Sequence, residues 1–196
     1  MFLLGIDTAT PVMSVALVRN GIVLRDGTFG EPAGPQMHGE RLMPLISEVL
    51  DGVRLRELDG IAVGVGPGPY TGLRVGLVTA QTLAYAAGIA VFGVSSLDAI
   101  AHGARRAGHV GRFVASIDVK RREFAAATYD EHDHPVFGPR LVPAEAVRHG
   151  ATPHAADVAL VAIVRALRGE EQPLTPQYLR HPDATVSSGR KSTVQR

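Results

Sequence analysis

Two rhythms of apolar residues alternate through the N-terminal half of this chain, and each change of rhythm marks a change of element. Phe2–Asp7, Met13–Arg19 and Ile22–Phe29 are short runs rich in Leu, Ile and Val, which predicts three strands. Asn20-Gly21 separates the second run from the third, and both residues tolerate the positive φ that a tight hairpin needs. After a Pro- and Gly-rich loop, Gly30 to Pro35, the period lengthens. Over about Met37–Leu50 the residues Leu42, Leu45, Ile46, Val49 and Leu50 follow i, i+3, i+4, i+7, i+8, the stripe of a half-buried helix. Pro44 lies inside this stripe and should either kink the helix or mark its true start. A buried strand, Gly60–Val65, follows. A second helix is predicted from about Thr71 to Ala87, stopped by Gly88, and then a strand, Ile89–Val94. Ser95 or Ser96 is expected to cap a third helix running to about Arg106, with Asp98 in its first turn.

The order β-β-β-α-β-α-β-α describes a ribonuclease-H-like lobe. After Gly108-His109-Val110-Gly111 the opening is repeated: Arg112–Asp118 as a strand, Lys120-Arg121-Arg122 as a turn, Glu123–Asp130 as a strand. Gly5-Ile6-Asp7 and Ser116-Ile117-Asp118 both close an apolar strand with aspartate before a hairpin, a weak internal duplication. Ala155–Leu167 is a last amphipathic helix, and from Glu170 onward the chain is mostly polar and reads as a tail. The fold class expected is α/β, an actin-like two-lobe arrangement with a mixed sheet and a shortened second lobe. The boundaries are 1–108 for the first lobe, 109–182 for the second and 183–196 for a flexible tail.

Composition narrows the chemistry. Of 196 residues 45% are apolar, enough for a sizeable core, and the formal charge of +1 gives no overall pull toward nucleic acid or an anionic membrane. No cysteine is present, which removes disulfides, thiolate metal sites and cysteine nucleophiles and suits a cytoplasmic protein. The first residues lack a basic stretch and reach Asp7 too soon for a signal peptide. Ala80 to Val94 is interrupted by Gln81, Thr82, Tyr85 and Gly88, short of the roughly 20 apolar residues of a membrane span. A soluble protein is expected.

Several constellations could carry chemistry. Two lobes that each open on an aspartate-ended strand are the layout of actin-like phosphotransferases. This makes Asp7, Thr8 and Asp118 candidates for a degenerate nucleotide site, with backbone N–H groups of Gly66-Pro67-Gly68 near a helix start. The turn lacks the Gly-Lys-Ser/Thr ending of a P-loop, and aspartate at a strand end also caps turns. A metal-dependent nuclease needs converging carboxylates. Asp7 with Glu40 or Glu48 would supply two, but the fourth strand ends Val65-Gly66-Pro67 without one, so that reading fails. His132-Asp133-His134 sits in a polar turn. His38 starts a helix whose position 42 is Leu, so the i, i+4 histidine pair of a metal helix is absent and no metal is expected. Ser95-Ser96 lacks a nucleophile elbow. Lys120-Arg121-Arg122 reads as a solvated turn by default, with an RNA phosphate contact as the alternative. No catalytic residue is assigned.

The second predicted helix has a distinctive face. Gly72, Gly76, Ala80 and Ala84 recur every fourth residue and so stack on one side, where another helix or the sheet could approach closely. Leu73, Leu77, Val78 and Leu83 add bulk elsewhere, and a helix apolar nearly all round must bury more than one side. One side meets its own sheet. The preferred account is that another is shared with a second protein, together with the Met37–Leu50 helix.

These motifs together resemble the TsaB (YeaZ-type) family of subunits that serve threonylcarbamoyladenosine synthesis in bacterial tRNA. The resemblance rests on Leu4 to Thr10, His38 to Ile46, Gly66 to Gly76 and Gly93 to Asp98. Asp118 to Glu123 and Gln177 to Ala184 extend it to the second lobe and the C-terminal end. It implies an actin-like fold without an activity of its own, pairing through its first two helices with a TsaD-type catalytic paralogue that a TsaE-type ATPase joins. Interface residues are then His38, Arg41, Leu42, Leu45, Gly72, Leu73, Gly76, Ala80 and Ala84. No cofactor is bound tightly, ATP enters only in the assembled complex, tRNA contact is indirect, and the subunit alone could pair with itself. Two departures stand out: Pro69-Tyr70 replaces the commoner Ser-Phe, and a stretch around Val147–Ala151 is shorter than in relatives. The alternative function is an independent actin-like ATP-dependent phosphotransferase.

Overall fold

The computed structural model describes residues 1–31, 37–119, 122–147 and 150–179. Its elements in chain order are β1 (Phe2–Asp7), β2 (Met13–Arg19), β3 (Ile22–Phe29), α1 (His38–Leu50), β4 (Gly60–Gly64), α2 (Tyr70–Ala87), β5 (Ala90–Val94) and α3 (Ser96–Arg106). These are followed by β6 (Phe113–Asp118), β7 (Glu123–Tyr129), β8 (Pro135–Pro143) and α4 (Ala155–Leu167). The first sheet has the order β3-β2-β1-β4-β5, with β1, β2 and β3 antiparallel and β4 and β5 parallel to β1. The hairpin at Asn20-Gly21 has φ of 50° and 82°, which is why those two residue types occupy it.

β1 is buried throughout because both faces of the first sheet are covered. Phe2, Leu4 and Ile6 join Met13, Val15 and Leu17 under α1 and α2, which bring Leu42, Ile46, Val49, Leu77, Ala80 and Ala84. Leu3, Ala16, Val18 and Ala62 face the other way and meet Val158, Ala159, Ala162 and Ile163 of α4. Gly5 lets the start of α4 lie directly on the strand: a Cβ there would stand 2.1 Å from the Ala155 carbonyl oxygen. Ser14 fixes the same place, its Oγ accepting from the Ala155 N–H at 2.9 Å. Pro44 lies inside α1, which runs on from His38 upstream of it.

The second sheet, β6-β7-β8, is antiparallel and packs against α3 through Ala115, Ile117, Ala127 and Tyr129 with Leu97 and Ala101. Tyr129 donates its hydroxyl to Asp98 Oδ1 at 2.6 Å, and Arg165 donates to Asp98 Oδ2 at 2.7 Å. One carboxylate therefore joins β7, α3 and α4. Asp157 of α4 ties the same two helices further along, accepting from Arg106 at 2.8 Å and lying 2.9 Å from His102 Nδ1.

Four features depart from the sequence reading. β8 is a strand despite Pro135, Pro139 and Pro143, because it lies at a sheet edge, where the missing N–H need not join a ladder. Ser96 is not a side-chain cap: Ser95 holds the N-cap position of α3 without a capping side-chain bond, and Ser96 turns inward. α4, assigned by sequence to the second lobe, covers the rear of the first sheet. Residues Glu170 to Leu179, read as the start of a tail, instead cross the first sheet. There Gly93 N–H donates to Gln172 O at 3.0 Å, and Gln177 N–H donates to Val65 O at 2.8 Å. The tail at 183–196 and the pair Lys120-Arg121 lie outside the described residues. No helix among the described residues is long and apolar enough to cross a membrane.

Candidate functional site

Asp7 closes β1 and is wholly buried. Its Oδ1 accepts from the Ala9 N–H at 2.8 Å and its Oδ2 from the Ser96 hydroxyl at 2.6 Å. Gly64 makes room for this arrangement, since a Cβ there would stand 1.9 Å from Oδ2. Burial pushes the carboxyl up to about 6, against the lowering effect of the Ser96 and Ala9 bonds. Thr8 is equally enclosed, its Oγ1 donating to the Gly72 carbonyl at 2.8 Å. A Cβ at Gly76 would fall 2.3 Å from that Oγ1, and one at Gly72 2.6 Å from the Thr8 carbonyl oxygen. Asp7 and Thr8 are thus fasteners between β1, β4, α2 and α3.

Asp118 ends β6 at the surface and lines a different place, a cavity of about 160 Å³ shared with Thr10, Val12, Phe124 and Thr152. Neither Asp7 nor Thr8 lines it. The fold does not bring the three nucleotide candidates to one cleft, and this cavity is smaller than the roughly 300–1,000 Å³ typical of small-molecule pockets. The histidines are dispersed as well. His38 is buried against α2 with its Nε2 3.2 Å from the Pro11 carbonyl oxygen, while His132 and His134 are exposed on the β7–β8 turn. Among the described residues no three His, Asp or Glu side chains gather as a metal site.

The interface candidates fall on the inner side of their helices. His38, Leu42, Leu45, Gly72, Leu73, Gly76, Ala80 and Ala84 are all buried, and only Arg41 is exposed. The small residues of α2 serve an internal close approach: Gly72 and Gly76 lie on Thr8 and His38, and Ala80 and Ala84 belong to the core under the first sheet. They are not surface available to a neighbour. The outward side of α2 carries Tyr70, Thr71, Arg74, Val78, Gln81, Thr82 and Tyr85, and on α1 Arg41 and Met43 are exposed. Val78 is 59% exposed and Tyr85 92%. A shallow depression of about 450 Å³ runs between Tyr70, Arg74, Val75 and Val78. Arg74 lies 4.1 Å over the Tyr70 ring and Arg41 4.5 Å over Phe29. Tyr178, from the segment that crosses the sheet, packs its ring 5.0 Å from that of Tyr70. The small residues named from the sequence thus lie on the inner side of α2, as His38, Leu42 and Leu45 do on α1. Tyr70, Arg74, Tyr85 and Tyr178 are not among the interface residues the sequence singles out; isolated large residues on a predicted helix or tail carry no periodic signal.

A family model described as TsaD, tRNA N6-adenosine threonylcarbamoyltransferase, matches residues 33–185. The tRNA threonylcarbamoyladenosine biosynthesis protein TsaB of Escherichia coli is 36% identical over 139 residues, 70% of this chain and 58% of that protein. The solved structure of YeaZ from Pseudomonas aeruginosa superposes with a TM-score of 0.76 at 29% identity, covering 91% of this chain and 99% of that one. The chain belongs to the TsaB (YeaZ-type) branch of the TsaD family. An uncharacterized protein of Mycobacterium tuberculosis is similar over a larger share than E. coli TsaB, 37% identical over 205 residues and 92% of each chain. The actin-like α/β class expected from the element order is that of YeaZ.

Proposed function

We infer that this TsaB-family chain is an accessory subunit in the synthesis of threonylcarbamoyladenosine in tRNA. It performs no reaction itself and docks a TsaD-type catalytic paralogue on the outward sides of α2 and α1. A TsaE-type ATPase joins that pair, and the chain works in the cytoplasm, where tRNA resides. The observation that carries this reading is the pairing of a closed aspartate with an open helix. Both Asp7 oxygens are taken by Ala9 and Ser96, leaving no carboxylate there for a magnesium nucleotide. Val78 and Tyr85 meanwhile hold apolar surface in solvent on a helix with no acidic residue.

Sedimentation of the chain with the TsaD-type protein of the same organism tests the reading. A one-to-one complex is expected, and Val78→Arg should weaken it at least about tenfold by placing an unpaired charge in the contact. A complex untouched by this change, or no complex at all, rejects the docking. Calorimetry of the isolated chain with ATP and magnesium should register no binding. Tight binding with turnover would favour the independent phosphotransferase.

A further inference from the structure

The segment after α4 is built into the first sheet. Gln172 accepts from the Gly93 N–H of β5 and donates its side-chain amide to the Ala162 carbonyl of α4 at 3.1 Å. Gly93 is small because the Pro173 carbonyl oxygen passes where its Cβ would be, at 2.1 Å. Leu174 packs onto the core beneath α1 and α2. Gln177 donates its N–H to Val65 O, and its Oε1 accepts from the Ser95 hydroxyl at 3.3 Å. The chain thus straps the end of the parallel strands and delivers Tyr178 onto Tyr70 in the first turn of α2, next to Arg74.

The geometry points to a composite docking surface, resting on the reading that α2 receives a TsaD-type subunit. Tyr178 from the C-terminal strap completes the α2 surface, and Arg74 is its cationic anchor for a carboxylate of that subunit. Charge supports the choice of occupant. Arg74 is the only charged residue of α2, and neither it nor Arg41 has a carboxylate partner among the described residues. Each rests on an aromatic ring, which leaves a guanidinium positioned but unpaired, the state in which a partner's carboxylate gains most. Tyrosine and arginine in a packed cluster supply most of the binding energy in many interfaces. The strap's four anchoring bonds hold Tyr178 in place before binding, so little ordering remains to be done.

Titration calorimetry of the full chain against the TsaD-type protein decides the matter. Tyr178→Ala should weaken binding about tenfold and Tyr178→Phe should not, with equal melting temperatures for both. Arg74→Gln should weaken it comparably and remove much of the loss of affinity seen when salt is raised. Arg74 is exposed and cannot unfold the chain by its loss, so its variant decides alone if Tyr178→Ala melts early. Tight binding by the native chain that neither Tyr178→Ala nor Arg74→Gln alters overturns the composite surface and leaves the docking reading intact. No binding by the native chain overturns both.

Discussion

Asp7, a candidate nucleotide ligand in the sequence, is enclosed and hydrogen-bonded through both carboxylate oxygens in the fold. The same strand-end position that could hold a magnesium nucleotide is here roofed by α3 and walled by β4, and Gly64 and Ser96 are the two residues that make this fit. The consequence is thermodynamic. The carboxyl holds its proton to about 6 in the folded chain, against 3.8 in the reference state. Between those values the folded state binds more protons, so stability is full below about pH 4 and declines as pH rises through 6. Asp7→Asn should flatten this decline and melt higher at pH 8, by up to about 3 kcal/mol at 1.36 kcal/mol per unit. Thermal melts of both proteins at pH 4.5 and 8 measure it, and a parallel pair of profiles would refute the assignment. Asp157 behaves in the opposite sense. Burial pushes it up, but bonds from His102 and Arg106 outweigh this and hold it below its usual range, so its contribution is lost as pH falls.

At the scale of the element, α2 puts its packing residues and its exposed residues on different sides. Its inner stripe of Gly and Ala lets the helix sit on Thr8, and its outer stripe is free. Gly76→Leu is therefore a folding variant: the new side chain meets Thr8 Oγ1, and overpacking of this kind costs roughly 1–3 kcal/mol. Urea denaturation should show that loss, whereas Val78→Arg should stay within about 0.5 kcal/mol of the native chain. The reverse ranking would mean that the small residues, not the large ones, face outward. The four-residue spacing of small residues and the stop at Gly88 located the helix to within a residue, Tyr70–Ala87 against an expected Thr71–Ala87. It could not orient it, because bulk and small residues both surround the axis. β8 was invisible for a related reason, its three prolines being tolerated only through its place at an edge.

At the scale of the whole molecule, α4 covers the first sheet and α3 packs on the second, and Asp98 is the residue through which both helices are tied to β7. Asp98→Ala strands a buried tyrosine hydroxyl and a guanidinium together, and should cost about 3 kcal/mol in chemical denaturation. A loss below about 1 kcal/mol would show that the joint is not held there. Taken alone, the chain's order of residues determined the helices, the hairpin and every strand but β8, because alternation, helical spacing and turn residues act over a few neighbours. The fold class followed from the order of those elements, and the family from the resemblance of its motifs. Only the tertiary structure decided that Asp7 is sealed, that the small face of α2 points inward, that α4 crosses to the first sheet and that Gln172–Tyr178 is bound rather than loose. Each of these depends on what lies across a distance in sequence. A local pattern records that a side must be covered; which neighbour covers it is set by the packing of the whole chain.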